Sequence, residues 1–164
     1  MLNVLTYSLC ALFFSVVTLC EASPLDEGSF DTISIRADEA SEDERPGILH
    51  FKGHFLMHSS EWQLTSSRAT VYGRLDRPDQ VNLEGSPARF LVTRAQGSDG
   101  ETVEATASML EYQRSVKMLK LTGNAVLKLG DEVIRSDSIE YDIDTDRYRA
   151  SGADGVLIAV PAVD

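Results

Sequence analysis

The chain has 164 residues, of which 43% are hydrophobic and 7% aromatic, and its 26 acidic against 15 basic side chains give a formal net charge of −11. This length and apolar content suit one globular domain and exclude a multidomain enzyme or a bundle of membrane-spanning helices. The excess of acid disfavours a nucleic-acid partner, and it also disfavours docking on anionic lipid head groups through a polybasic face.

Residues 1–22 have the pattern of an export signal. The stretch 4–19 is uncharged and apolar, which is about the length of a signal-peptide core and short for a membrane span. The small residues Cys20 and Ala22 stand three and one positions before a cleavage site, so cleavage is predicted after Ala22. This leaves 23–30 as a short segment ahead of the folded domain. Because no Lys or Arg precedes the apolar stretch, an uncleaved membrane anchor stays open as an alternative. A lipoprotein at Cys20 is disfavoured, since a bulky leucine stands where a small residue is required.

After residue 30 the sequence alternates apolar and polar residues, which predicts strands. Ile139, Tyr141 and Ile143 alternate with acidic residues, and the same period of two recurs over 49–55. No window of a dozen residues in this part has a helical period. Turn-forming residues separate the runs at 45–47, 76–79, 97–100, 130–131 and 144–146. Short strands with turns at this spacing predict an all-β, antiparallel sandwich or jelly roll.

A hairpin-sized repeat runs through these strands. Each copy has a start with a small residue, then a strand, a turn, a second strand and a glycine. The starts are Ala37-Asp38, Ser67-Arg68, Ala107-Ser108 and Ser136-Asp137, and the glycines are Gly53, Gly85, Gly123 and Gly152. The start and its glycine are separated by 16 residues in three copies and by 18 in the second. A glycine inside a strand marks a bulge or a sharp bend, so the repeat predicts a stack of hairpins bent at the same point.

The last predicted strand lies near the end of the given sequence and has no charge. It comprises Val156, Leu157, Ile158, Ala159 and Val160. Exposed apolar edge strands recruit other chains and are normally suppressed, so this strand predicts pairing with the sheet edge of a partner. The alternative is that the strand is tucked into the interior of its own sheet.

Three segments of the repeat carry a resemblance to a known family: 33–38 (ISIRAD), 85–90 (GSPARF) and 119–127 (LKLTGNAVL). With the repeat, they resemble the LptA-type, OstA-like periplasmic proteins of lipopolysaccharide transport over roughly 31–160, with 161–164 as the C-terminal end. The resemblance implies a twisted, open-ended antiparallel β-jelly roll built from repeated hairpins. It also implies head-to-tail stacking into a bridge with related inner-membrane anchored and outer-membrane translocon components. Such a bridge carries lipopolysaccharide across the periplasm.

The resemblance also implies which residues meet the lipid, on the inner face of the roll. Ile33, Ile35, Phe90 and Tyr112 match lipid-contacting positions, and Phe51, Phe55, Leu121 and Tyr141 complete the expected lipid-binding set. Trp62 and Leu64 either line the same groove or fill a core. The edges expected to meet partners are Ile33 and Ile35 at one end and Val156, Leu157, Ile158 and Val160 at the other. Position 114, often apolar in the family, is Arg114 here. No cofactor and no metal are expected.

Two polar patterns have explanations other than metal binding. His50, His54 and His58 alternate with apolar residues, which predicts an outward, solvated row. Strand residues four apart are separated by ~13 Å, which is too far to share a metal. The aspartates of the run 142–146 imitate the start of a calcium loop, but the glycine and the bidentate acid that such a loop needs are missing. A charged hairpin turn is therefore predicted there.

The sequence offers no enzymatic motif. It has no nucleophile elbow, zinc-protease motif, phosphate loop or dinucleotide fingerprint, and both cysteines, Cys10 and Cys20, lie in the export segment. We therefore expect a non-enzymatic lipopolysaccharide-binding bridge protein of the periplasm. The alternatives are the membrane-anchored partner of the same pathway, a structural β-stacking protein with a dry core, and a sugar-binding or enzymatic jelly roll.

Overall fold

The computed structural model describes residues 32–93 and 102–162, and every regular element in them is a strand. The strands are β1 (Ser34–Arg36), β2 (Glu39–Glu42), β3 (Ile48–His58), β4 (Trp62–Arg74), β5 (Arg77–Thr93), β6 (Thr102–Gln113), β7 (Met118–Leu129), β8 (Glu132–Asp142), β9 (Arg147–Ser151) and β10 (Leu157–Ala159). The all-β prediction is confirmed. The predicted export signal 1–22, the segment 23–30 and the predicted turn 97–100 lie outside the described residues. In the described part of the chain, no helix is long and apolar enough to cross a membrane.

The ten described strands form one antiparallel sheet. Hydrogen-bonded neighbours follow the order β1-β3-β4-β5-β6-β7-β8-β10, so consecutive long strands pair as hairpins. The two edges of the sheet are built alike, since β1 and β2 pair in succession along β3, and β10 and β9 pair in succession along β8. Each edge therefore ends in two short strands rather than in one long strand.

A line of register shifts divides the sheet into two parts. Every pair of neighbouring long strands shifts register along this line, at 52–55 of β3, 65–68 of β4, 84–88 of β5, 106–109 of β6 and 122–125 of β7, and the β4–β5 pair shifts a second time at 72–73. We call this line the crease. Half I contains 34–36, 55–66, 88–93, 102–107, 125–136 and 157–159, and half II contains 39–52, 68–84, 109–122 and 138–151. Because a bulge bends its strand and raises the local twist, a row of bulges folds half I over half II.

The starts and the glycines of the sequence repeat meet at the crease. Gly53 has a φ of +71° and lies against Asp38, whose backbone N–H donates to the Gly53 carbonyl at 3.0 Å. A Cβ at Gly53 would overlap the Asp38 carboxylate. Gly123, with a φ of +79°, lies in the same way against Ser108, 3.1 Å from where a Cβ would be. At Gly53 and Gly123 the glycine on one strand thus makes room for the start on the neighbouring strand, and register shifts at both glycines confirm the predicted irregularity. Gly85 lies instead against Pro87 and Ala88 of its own strand.

The two halves share one apolar core. Its fully buried large side chains are Phe55, Met57, Val71, Val81, Leu83, Leu110, Leu119, Leu121, Leu127, Ile134, Ile139 and Tyr141. Phe51 and Phe55 lie on opposite sides of the crease with their ring centroids 5.2 Å apart. Full burial of such a side chain contributes about 1.5–3 kcal/mol relative to exposure. This shared core therefore holds the halves together.

The predicted solvated row of histidines is wrong for His50, which is half-buried and bonded. Its Nε2 lies 2.9 Å from Asp43 Oδ2, and its Nδ1 lies 3.1 Å from Thr70 Oγ1. His54 is in the bulge of β3 with a φ of +44°, and its Nδ1 lies 2.7 Å from Asp38 Oδ2. His54 and His58 are exposed, as predicted, and all three histidines alternate with buried residues of β3. The outward orientation therefore holds, and only the solvation of His50 differs, because Asp43 and Thr70 bind its ring on the outer face.

The acidic run 142–146 joins β8 to β9 as a hairpin turn, as predicted. Asp142 Oδ1 accepts hydrogen bonds from the backbone N–H groups of Asp144 at 3.0 Å and Thr145 at 3.2 Å. Hydrogen bonds from Thr145, the side chain first, hold the pKa of Asp142 below its usual value. Lys117 Nζ donates to Asp144 Oδ1 at 2.8 Å, so the turn is tied to the neighbouring β6–β7 turn.

Candidate functional site

Toward the ends of the strands the two halves separate and leave a cavity of about 310 Å³. The wall on the side of half I comprises Ile33, Met57, Trp62, Leu64, Phe90 and Val92. The apolar wall on the side of half II comprises Pro78, Val81, Tyr112 and Ile143. The charged lining residues are Asp76, Arg77 and Arg114. Sites for small molecules are concave and mostly apolar, with a few placed polar groups, and begin at about 300 Å³. The cavity therefore suits an apolar ligand or the apolar part of a larger one.

An aromatic pair joins the two walls of the cavity. The rings of Phe90 in half I and Tyr112 in half II are stacked, with their centroids 6.4 Å apart and their planes 18° apart. Phe90 is 6% exposed, whereas Tyr112 is half-buried. Burial raises the pKa of the Tyr112 hydroxyl above its usual value, so the phenol stays neutral near neutral pH. The pair thus adds uncharged ring surface to the wall.

The structure brings three of the predicted lipid-binding residues to the cavity, namely Ile33, Phe90 and Tyr112. Ile35 is partly buried against the core. The remaining four, Phe51, Phe55, Leu121 and Tyr141, are buried in the core and do not line the cavity. Tyr141 also donates its hydroxyl to Asp146 Oδ1 at 2.5 Å, which fixes the β8–β9 turn.

Some residues of the cavity wall are not identified as site residues from the sequence. Alternation places Trp62 and Leu64 on an inner face without separating groove from core, and the structure places both in the cavity wall. Met57, Pro78 and Ile143 are further wall residues. Ile143 belongs to the alternation with Ile139 and Tyr141 seen in the sequence, which gives its face of the sheet but not its place in the cavity wall. Pro78 enters the wall at the start of β5, beside a turn, where no periodic pattern indicates its direction.

The charged side chains near the cavity are held by hydrogen bonds and ion pairs. Arg74 Nη2 lies 2.6 Å from Asp76 Oδ2, and this hydrogen bond lowers the pKa of Asp76 below its usual value. The Arg114 guanidinium donates from Nη2 to Asp79 Oδ1 at 2.8 Å and from Nε to the Pro78 carbonyl at 2.9 Å. Within residues 32–93 and 102–162, no three His, Cys, Asp or Glu side chains lie close enough together to hold a metal ion.

The predicted last strand is an edge strand and is not tucked into the interior of the sheet. Its apolar side chains are exposed: Val156 by 43%, Leu157 by 57%, Ile158 by 50% and Val160 by 67%. In the described part of the chain, β10 pairs with β8 alone, and β1 at the opposite edge pairs with β3 alone. On the outer face, β9 presents the exposed Arg147 and Arg149, and β2 presents the exposed Glu39. The short strands β9 and β2 therefore carry charges of opposite sign, with Arg147 and Arg149 opposite Asp142 and Glu140 of β8, and Glu39 opposite Lys52 of β3.

The fold and the cavity define a class of protein: a β-jelly roll with short strands at both edges and an apolar cavity between its two halves. The chain belongs to the family described as LptA/(LptD N-terminal domain) LPS transport protein, whose sequence model matches residues 34–147. The resemblance carried by the three sequence segments is confirmed.

Curated relatives and a solved structure agree with this assignment. The chain is 26% identical over 133 residues to the lipopolysaccharide export system protein LptA of Escherichia coli K12, and the match covers 80% of this chain and 70% of the relative. The LptA of Shigella flexneri matches with the same identity and coverage. The fold is similar to that of LptH from Pseudomonas aeruginosa, described as the LptA-homologous periplasmic component of the lipopolysaccharide transport device, with a TM-score of 0.70, 18% identity and coverage of 80% of this chain and 96% of the other. The predicted jelly-roll fold is confirmed, and the named relatives are transport proteins rather than enzymes.

Proposed function

We propose that the protein binds lipopolysaccharide through its lipid A acyl chains and carries it across the periplasm from the inner to the outer membrane. The observation that carries the proposal is the apolar cavity between the halves, with Ile33, Phe90 and Tyr112 in its wall. Membership of the lipopolysaccharide transport family supplies the class of cargo. The cavity supplies a surface that matches the apolar part of that cargo.

Burial of methylene groups gives the binding its strength. Each methylene removed from water contributes about 0.8 kcal/mol, so sheltering eight of them contributes ~6 kcal/mol per acyl chain. That is enough to hold a lipid and weak enough to pass it to a neighbouring roll. A protein with a net charge of −11 repels anionic groups over most of its surface, so the acyl chains dominate recognition.

The two edges of the sheet support head-to-tail assembly into a bridge. β1 and β10 both belong to half I, and the antiparallel order of the strands between them makes them antiparallel to each other. A second copy with its β1 beside β10 continues the antiparallel ladder, and its β2 then lies beside β9. In that arrangement Arg147 and Arg149 of one copy lie next to the acidic edge that carries Glu39 of the other. Ladder direction and charge therefore favour the same contact.

The proposed contact surfaces are Ile33 and Ile35 at one edge and Val156, Leu157, Ile158 and Val160 at the other. Paired strand edges supply main-chain hydrogen bonds, and the exposed side chains of β10 supply apolar area. Inner-membrane anchored and outer-membrane translocon components with related β-jelly rolls would use the same two edges. The bridge then offers the lipid one apolar interior from membrane to membrane.

The periplasm is the proposed location. The export pattern of 1–22 and the description of LptH as a periplasmic component both support it. Sequencing the N-terminus of the protein purified from the periplasm is expected to read from residue 23. Retention of 1–22 in a membrane fraction would favour the membrane-anchored partner of the same pathway instead.

Trp62 makes a direct binding test possible, because it is the one tryptophan of the chain and lies in the cavity wall. Titration with lipopolysaccharide is expected to shift its fluorescence to the blue and to saturate, since acyl chains replace water beside the indole. The polysaccharide freed from lipid A is the control and is expected to cause no shift. A saturable shift with polysaccharide alone would favour a sugar-binding jelly roll, and no shift with either would favour a structural protein with a dry core.

A further inference from the structure

Two arginines line a cavity that is otherwise mostly apolar. Arg77 opens β5 just after the β4–β5 turn, and Arg114 follows β6 at the β6–β7 turn. Both turns belong to half II and lie at the strand ends, away from the crease. The two cations therefore stand at the mouth of the cavity, in a protein whose net charge is strongly negative.

Arg114 is held in place before any ligand arrives. Its backbone N–H donates to the Asp79 carbonyl at 3.0 Å, its Nη2 to Asp79 Oδ1 at 2.8 Å, and its Nε to the Pro78 carbonyl at 2.9 Å. The side chain is 34% exposed. A guanidinium has five N–H donors in a rigid fork, so donors remain for a further acceptor after these contacts. Preorganisation of this kind lowers the entropy cost of binding.

Arg77 adds a positive charge that forms no ion pair with a neighbouring carboxylate in the described part of the chain. It is exposed, and among the described residues no carboxylate oxygen lies within 4 Å of its guanidinium nitrogens. The adjacent Asp76 is engaged by Arg74 at 2.6 Å, and Asp79 is engaged by Arg114. With these acids paired, the mouth of the cavity has a net positive charge beside low-dielectric apolar walls, where attraction to an anion is stronger than in bulk water.

We propose that Arg77 and Arg114 bind a phosphate group on the head of the lipid whose acyl chains fill the cavity. The inference rests on the proposed function and deepens it, because it assigns the polar end of the ligand to named residues. Arginine matches phosphate with two parallel N–H···O bonds, and charge-assisted bonds are about twice as strong as neutral ones. The acyl chains supply most of the affinity, and the arginines select phosphorylated lipids and orient them with the head at the mouth.

The test compares lipid A carrying two, one or no phosphate groups, with Trp62 fluorescence as the readout. The protein is expected to bind the diphosphorylated form about tenfold more tightly than the form without phosphate, the ratio that ~1.4 kcal/mol gives. In Arg77→Gln/Arg114→Gln that ratio is expected to fall toward one.

Two further variants separate charge from folding. Arg77→Gln alone changes an exposed side chain and is expected to lower the ratio without changing thermal stability. Arg89→Gln is the matched control on the outer face. Its ion-pair partner Glu104 still has a second cation, Lys128 at 3.1 Å, after the substitution. It is expected to keep the full preference for phosphate.

The outcomes separate this inference from the proposed function. A phosphate preference that is unchanged in Arg77→Gln/Arg114→Gln, or absent in the unsubstituted protein, would overturn the role of the arginines while leaving acyl-chain binding intact. Failure of all three lipids to bind would overturn the proposed function and this inference with it.

Discussion

Phe90 and Tyr112 are stacked at 6.4 Å between ring centroids, although the sheet does not pair them. In the ladder of β5 and β6, Phe90 lies opposite Ala105 and Tyr112 lies opposite Val81. The two rings therefore meet because the crease folds half I over half II, and not because they are cross-strand neighbours. The aromatic pair is a contact between halves, and it stands in the wall of the cavity proposed to hold lipid.

Removing the Tyr112 ring is expected to weaken lipid binding. Tyr112→Ala removes apolar area from the wall, and it also removes an aromatic contact that contributes ~0.5–1.5 kcal/mol in addition to the burial of its surface. We therefore expect affinity for lipopolysaccharide, measured by titration of Trp62 fluorescence, to fall roughly tenfold. Tyr112→Phe keeps the ring and is expected to bind normally. Tyr72→Ala, on the outer face of β4, is the control. Equal affinities for Tyr112→Ala and the unsubstituted protein would show that this wall does not contact the ligand.

The crease depends on the absence of a side chain at Gly53. Gly53→Ala is expected to lower the free energy of unfolding by ~1–2 kcal/mol through its positive φ and by a further ~1–3 kcal/mol through overlap with the Asp38 carboxylate. Gly47→Ala has a similar φ of +77° and open space around its Cβ, so it measures the first effect alone. Chemical denaturation of both variants gives the difference. Equal losses for the two would mean that Asp38 moves aside without cost.

Charge at the sheet edges is expected to govern self-association. Arg147→Glu/Arg149→Glu is expected to raise the concentration needed for head-to-tail oligomers, measured by sedimentation velocity, because β9 would then meet the acidic β2 edge of the next copy with like charge. Mixing this variant with Glu39→Lys is expected to restore part of the association. Arg89→Gln, in the middle of the outer face, serves as the control. Oligomers that are indifferent to both substitutions would contradict the proposed contact of β9 with β2.

Asp43 is expected to give a pH-dependent contribution to stability. Hydrogen bonds from the Arg45 side chain, the Arg45 backbone N–H and His50 hold the pKa of Asp43 well below its usual value of 3.8. Because folding lowers this pKa, the bonds stabilise the folded state above pH 3.8, and the contribution is lost as the pH falls toward the lowered pKa. Asp43→Asn should therefore lower the melting temperature near neutral pH, by a difference that shrinks in acid.

The exposed turn residue Asp131 supplies the control for this pH series. Asp131→Asn is expected to leave the melting temperature of the protein nearly unchanged across the range. A difference between Asp43→Asn and the unsubstituted protein that stays constant from neutral pH into acid would contradict the account, since it would not follow ionisation of the carboxyl group.

The sequence predicts the sheet, the bend and the exposed last strand because each has a local signature. Period-two alternation identifies the strands, and the recurring glycines identify the crease. Alternation shows which face of the sheet a residue occupies, however. It does not show whether a residue on the inner face lines the cavity or is packed in the core. Tyr112 and Tyr141 each stand five residues after the start of their repeat copy, yet Tyr112 lines the cavity and Tyr141 is fully buried.

Bulges limit sequence-based prediction in a second way. Tyr72 occupies the same repeat position as Tyr112 and Tyr141, but an offset near the crease of β4 leaves it on the outer face. His50 and His54 are separated by the bulge of β3 and acquire different partners. Such one-residue shifts depend on the pairing of neighbouring strands, which no local pattern encodes.

In-cell photo-crosslinking with a probe at position 90, and with Leu91 as the control, tests whether lipopolysaccharide occupies the cavity. Phe90 lines the cavity, whereas Leu91 lies on the opposite face of β5, paired with Gln63 and Glu104. A probe at Phe90 is expected to capture lipopolysaccharide, and a probe at Leu91 is expected to capture none. Capture at neither position, by protein that has reached the periplasm, would mean that the interior is an ordinary core and not a lipid site.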